Sequence, residues 1–100
     1  MDNKISGNFY FDPDMEIFKT HFPGHPVVPG SMIVDKFISH LKDSKTNSFK
    51  KIKIKNFKFL KFISPGKYSF IIEQEKDFYK CMLFKSKLLV ATGEITIELT

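Results

Sequence analysis

Hydrophobic and polar positions change period twice along the 100-residue chain, and the changes divide it into three regions. In residues 1–30, Phe9 and Phe11 alternate with polar neighbours, and Glu16-Ile17-Phe18 reads as a short strand. From Thr20 to Gly30, three prolines and two glycines exclude regular structure, so this stretch is expected to be an ordered loop. Residues 31–43 carry Met32, Ile33, Val34, Phe37, Ile38 and Leu41 at helical spacing, with Gly30-Ser31 as the N-terminal boundary. The apolar arc is wide, which suits a helix wrapped by a sheet better than one lying on a surface.

From Ser48 onward the period is two. Ile52 and Ile54 alternate with Lys51, Lys53 and Lys55, and Phe57 and Phe59 then resume one position out of phase, which predicts a bulge near Asn56. Ser64-Pro65-Gly66-Lys67 is a turn, Tyr68, Phe70 and Ile72 share one strand, and Phe78 to Phe84 follow a break at Lys76-Asp77. After a second turn at Lys85-Ser86-Lys87, the last strand, Leu88 to Leu99, places Leu89, Ala91, Gly93, Ile95, Ile97 and Leu99 on one face. One helix followed by three or four antiparallel strands is an α+β domain, and 1–100 forms a single unit. A sheet curled around the helix and a plain split β-α-β sandwich both fit. A ferredoxin-like arrangement does not, because 48–100 contains no second helical period.

Composition narrows the functional classes. The chain is 42% hydrophobic and 27% charged, ordinary for a globular domain. A domain this short buries only about 60 to 68% of its unfolded surface, so a partner subunit would add needed stability. Sixteen basic against eleven acidic residues give a net charge of +5, yet all sixteen are lysine. Without arginine, bidentate reading of bases is disfavoured and no nucleic-acid partner is expected; an acidic protein partner fits the charge, as do lysines that merely solvate strand faces. Cys81 has no intrachain partner, the N-terminus lacks a signal peptide's apolar core, and no apolar run would span a membrane, so a cytoplasmic location is expected.

The candidate chemistry lies in His21-Phe22-Pro23-Gly24-His25-Pro26-Val27-Val28-Pro29-Gly30-Ser31-Met32-Ile33-Val34-Asp35. A proline-braced loop presents a histidine and runs into a helix N-terminus with a carboxylate one turn in. Histidine serves as a base near neutral pH, and free N–H groups at a helix start stabilise charge developing on an oxygen. The combination suits proton abstraction beside a carbonyl. If the helix is central, Asp35 is partly buried, where its pKa rises enough for acid catalysis. Each residue also has a plainer reading: a surface or capping histidine, and an aspartate solvated in the first helical turn. His21 and His25 have a metal-like spacing, but the intervening prolines prevent the helical geometry that would aim both at one ion, and no metal site is expected.

This stretch resembles the signature of the 3-hydroxyacyl-acyl-carrier-protein dehydratases of the FabA/FabZ type, a His-Phe-x-Gly-x-Pro-x-x-Pro-Gly run leading into a helix. Phe57-Lys58-Phe59 with Ser64-Pro65-Gly66, and Leu89-Val90-Ala91 through Ile97, are similar to later family segments, so the resemblance spans roughly residues 8–99. It implies a hot-dog fold, an antiparallel sheet wrapped around one central helix, and a homodimer or a higher oligomer with active sites between subunits. It implies catalytic roles for His21 and for Asp35 of the other subunit, thioester binding by the Gly30 N–H, and orientation of the imidazole by the Val27 carbonyl. Phe22, Val27, Pro29 and Ser31 would shape the substrate site. No cofactor is implied; the substrate would arrive on the 4′-phosphopantetheine arm of an acidic acyl carrier protein.

Two features depart from the family pattern: Ser39 stands where a glutamine is common, and the N-terminal extension is short. They leave room for a specialised pathway, such as polyene pigment or polyketide synthesis. A non-catalytic subunit partnering an active dehydratase and a hot-dog acyl thioesterase are the competing readings.

Overall fold

A computed structural model describes residues 3–20, 24–43 and 49–99. Strand β1 (Lys4–Phe11) leads into a short helix α1 (Glu16–Thr20), and the main helix α2 (Gly30–Asp43) follows the proline-rich loop. Four strands complete the chain: β2 (Phe49–Phe59), β3 (Gly66–Gln74), β4 (Tyr79–Lys85) and β5 (Leu88–Leu99). They form one antiparallel sheet in the order β1-β3-β4-β5-β2, so β1 and β2 are its edges.

Along α2, Ile33, Phe37 and Leu41 are buried, while Ser31, Asp35, Ser39 and Lys42 are exposed. The Phe37 ring decides between a flat and a curled sheet. Its centroid lies 5.0 Å from that of Phe9 on β1, 6.0 Å from Phe70 on β3 and 6.2 Å from Phe57 on β2. Edges of a flat five-stranded sheet stand about 19 Å apart, and a single side chain cannot touch rings from both. The sheet therefore curls around α2, as the wide apolar arc suggests, and the split sandwich is excluded.

The predicted bulge sits where the phase of the pattern breaks. Lys55 pairs with Glu94 and Lys58 with Thr92, leaving Asn56 and Phe57 opposite Gly93 alone. Asn56 adopts φ 56°, and its Nδ2 donates to Glu94 Oε2 at 3.0 Å. The extra residue rotates Phe57 and Phe59 inward; without it, Asn56 and Lys58 would occupy those positions. The predicted turn at Lys85-Ser86-Lys87 is present, with Ser86 at φ 56°, whereas of Ser64-Pro65-Gly66-Lys67 only Pro65 bends the chain, and Gly66, at φ 142°, and Lys67 already belong to β3.

One element differs from expectation. Glu16-Ile17-Phe18 belongs to helix α1, not to a strand. The Asp12 carboxylate accepts from the Asp14 N–H at 2.9 Å, and the Asp12 and Met15 carbonyls accept from Met15 and Phe18 at 3.2 and 3.0 Å. This side-chain turn nucleates a helical turn that buries Phe18, which three residues of alternation could not reveal. The other expected boundaries shift by one or two residues: α2 begins at Gly30, β4 at Tyr79, and β3 at Gly66, two residues ahead of Tyr68.

A Cβ on Gly93 would run into the Phe57 ring. Gly93→Ala is therefore expected to lower unfolding stability by about 1–3 kcal/mol, measured by urea denaturation, and Phe57→Leu in the same chain should recover part of that loss.

Candidate active site

Residues 26–29, directly before α2, lie in neither helix nor strand and are held from outside. The Val28 N–H donates to the Ile63 carbonyl at 2.8 Å, and the Val28 side chain is buried. The Pro29 carbonyl then accepts from Met32 at 3.0 Å and from Ile33 at 3.3 Å, which starts the helix. Gly30 and Ser31 thus occupy the first turn, where helix geometry leaves N–H groups without intrahelical acceptors and the helix dipole is positive.

Gly30 lies beneath an aromatic ring. A Cβ there would stand 2.8 Å from Cε2 and Cζ of Phe59, so this position accepts only glycine while Phe59 keeps its place. Phe59 stacks at 6.1 Å on Phe57, the bulge residue. Around the helix start, Val27, Val28, Pro29, Gly30, Ile33, Phe59, Lys61 and Phe62 line an apolar cavity of about 320 Å³. It is a largely apolar cleft that also presents Lys61 and the first turn of a helix, an arrangement suited to an apolar acyl group whose carbonyl needs a donor.

Of the residues singled out in the sequence, Val27, Pro29 and Gly30 converge on this cleft. Ser31 is exposed, one residue into the helix. His21 and Phe22 lie outside the described residues. His25 is exposed beside a neighbouring depression shared with Phe62 and Ile63. Asp35 requires a correction: it is exposed, not partly buried, within this chain. It lies about 200° of helical rotation from Ile33 and as far from Phe37 in the other sense, so it shares the outward stripe with Ser31 and Ser39.

Phe59, Lys61 and Phe62 were not read as site residues from the sequence. The phase break at Asn56 carried the signal for Phe59, since it aims that ring at the helix start. For Phe62, 93% exposed, no periodicity distinguished it.

The family model described as ApeI dehydratase matches residues 1–93. The chain belongs to the ApeI-like dehydratase family. It is similar in structure to the dehydratase heterocomplex ApeI:P from Xenorhabdus doucetiae, with a TM-score of 0.79 and 22% identity over 97% of this chain and 88% of that one. It is also similar to an uncharacterized protein from Erwinia carotovora subsp. atroseptica, with a TM-score of 0.72 and 21% identity over 99% of this chain and 87% of that one. No curated protein matches. The fold is the hot-dog fold of the ApeI dehydratase, as the motif resemblance implied. Among the described residues, no helix is long and apolar enough to cross a membrane, and no group of three His, Cys, Asp or Glu side chains could hold a metal ion.

Cys81 is not a nucleophile in this ApeI-like chain. It is buried in the sheet, and desolvation pushes its thiol up from 9.0 to about 12.

Two tests follow from this geometry. Gly30→Ala should destabilise the fold by about 1–3 kcal/mol through the clash with Phe59, and the cost should shrink in the Gly30→Ala/Phe59→Ala double variant, as measured in a denaturation cycle. Labelling of Cys81 by a thiol reagent at pH 8 should be slow and track global unfolding. The thiol's contribution to stability should be constant below pH 9 and fall as pH rises from 9 toward 12, because the unfolded chain ionises first.

Proposed function

We propose that the chain is a (3R)-hydroxyacyl-acyl-carrier-protein dehydratase that eliminates water to give the trans-2-enoyl thioester. The reading rests on one observation above all: the first turn of α2, bared of a side chain at Gly30, opens into an apolar cleft walled by the motif loop and Phe59. A thioester carbonyl accepting from the Gly30 N–H becomes electron-poor, which acidifies the C2 proton. His21 removes that proton, with its tautomer set by the Val27 carbonyl. The 3-hydroxyl leaves as water after protonation by an acid on the same face, so the elimination is syn, redox-neutral and needs no cofactor.

Asp35 supplies that acid from a second copy. Its exposed position on α2 suits a residue that completes another subunit's site, and Ser31 and Ser39 on the same stripe leave the approach open. Edge strand β2 offers unpaired backbone groups, with Ile54 and Phe59 half-exposed beside them, for assembly of a homodimer. The acyl group arrives on the phosphopantetheine arm of an acyl carrier protein, in cytoplasmic synthesis of a fatty acid or of a polyene or polyketide chain.

A second reading is favoured by the solved relative, which is a heterocomplex. In it this chain is the non-catalytic member of a mixed assembly, and Ser39 replaces an organising amide that it no longer needs.

The deciding experiment follows a 3-hydroxyacyl thioester and its 2-enoyl product by mass. His21→Ala and Asp35→Asn should each reduce turnover by about 10²-fold or more, whereas His25→Ala should only weaken it. Mixing the two inactive variants should restore roughly a quarter of the sites by subunit exchange under two-fold symmetry. Full activity of the His21 variant contradicts the mechanism, and inactivity of the wild type alone with activity beside a partner subunit selects the second reading.

A further inference from the structure

Between the end of β2 at Phe59 and the start of β3 at Gly66, residues 60–65 form an arch that lies in neither helix nor strand. It carries Lys61 and Phe62 on the cleft and supplies the Ile63 carbonyl that holds Val28. The placement of the arch therefore decides where the motif loop and the helix start stand. Among the described residues, three hydrogen bonds fix it. The Leu60 N–H donates to the Val90 carbonyl at 2.8 Å, the Ile63 carbonyl accepts from Val28 at 2.8 Å, and the Ser64 carbonyl accepts from the Tyr68 hydroxyl at 2.6 Å. The Leu60 bond holds only the entrance of the arch. Ile63 is also anchored by its buried side chain, but a side chain that can rotate does not fix the direction of its carbonyl. The bond from Tyr68, on the adjoining residue, does.

The hydroxyl of Tyr68 has no other evident use. Tyr68 shares the inward face of β3 with Phe70 and Ile72 and is 3% exposed. Its ring meets the edge of Phe11 at 5.8 Å, and Lys85 Nζ lies 4.9 Å from its centre. A phenylalanine would satisfy the same packing, as Phe70 does on the same face. The hydroxyl adds a polar atom to an apolar surface, which costs free energy unless it is bonded. Ser64 supplies the acceptor, at a distance typical of a good O–H···O bond. Tyr68 does not line the cleft at Gly30, so its hydroxyl reaches the site only through the backbone of the arch.

We infer, on the dehydratase reading of the cleft, that Tyr68 is a positioning residue for the elimination. Its hydroxyl sets the Ser64–Ile63 backbone, which sets Val28, and through Val28 the Val27 carbonyl and the Gly30 N–H. On that reading these two groups orient the base and hold the thioester carbonyl. Small displacements matter there, because misplacing reacting groups by about 1 Å costs about 10²-fold in rate.

Tyr68→Phe keeps the ring and removes the donor. Under conditions where protection of the buried β5 amides is unchanged, the Val28 amide of the variant should exchange about tenfold faster than that of the wild type. With a 3-hydroxyacyl thioester of N-acetylcysteamine, kcat should fall about tenfold and KM change by less than about twofold, because transition-state geometry is lost and binding is not. A protein with 4-fluorophenylalanine at position 68, which fills the space of the hydroxyl but cannot donate, should show both effects, so that a cavity is not their cause. An unchanged Val28 rate, faster exchange with unchanged kcat, a loss confined to KM, or full activity of the fluorinated protein overturns the inference. If the wild type turns over no thioester, the dehydratase reading fails separately, and the link from Tyr68 to the loop is judged on exchange alone. A Val28 amide about tenfold faster in both altered proteins then upholds that link, and an unchanged one overturns it.

Discussion

The hydrogen bond from the Val28 N–H to the Ile63 carbonyl ties together two segments that neither helix nor sheet would otherwise hold. One is the loop that leads into α2, and the other is the stretch that leaves β2. A bond of this kind contributes about 0.5–1.5 kcal/mol net; its larger role is positional. Through it the helix start, the apolar cleft and the exposed ring of Phe62 share one frame. Pro26 and Pro29 restrict the loop on either side, so little chain entropy remains to oppose the arrangement.

A second constraint meets the first at Gly30. The bulge at Asn56 shifts the phase of β2, and Phe57 and Phe59 turn inward as a stacked pair. Phe57 covers Gly93 and Phe59 covers Gly30, so two glycines accept two rings at opposite ends of one aromatic column. Phe37 joins this column to Phe70 and Phe9, which makes the curl of the sheet and the shape of the cleft parts of the same aromatic packing. The cleft beside this packing is walled by Val27, Val28, Pro29 and Ile33 on one side and by Phe59 and Phe62 on the other.

Much of this was legible in the sequence because its signals are local. Proline and glycine mark the loop, the 3.6-residue period marks α2, and the lost phase at Asn56 marks the bulge. What was not legible depends on partners distant in the chain or on side-chain turns. Asp12 folds α1 through its own carboxylate, which alternation cannot report. Asp35 was expected among apolar neighbours because Met32, Ile33, Val34 and Phe37 flank it in sequence, yet helical rotation carries it to the outward stripe. The excess charge of Lys58, Lys61, Lys67, Lys85 and Lys87 was visible as a number but not as a place, since these lysines are gathered only when the β4–β5 hairpin comes beside the segment after β2.

Amide hydrogen exchange at Val28 tests the shared frame most directly. If the bond to Ile63 fixes the loop, the Val28 N–H exchanges on the scale of the buried β5 amides and is released only by global unfolding. Exchange as fast as that of a solvated loop amide would contradict it, because the helix start would then be free to move away from Phe59 and the cleft would have no fixed donor.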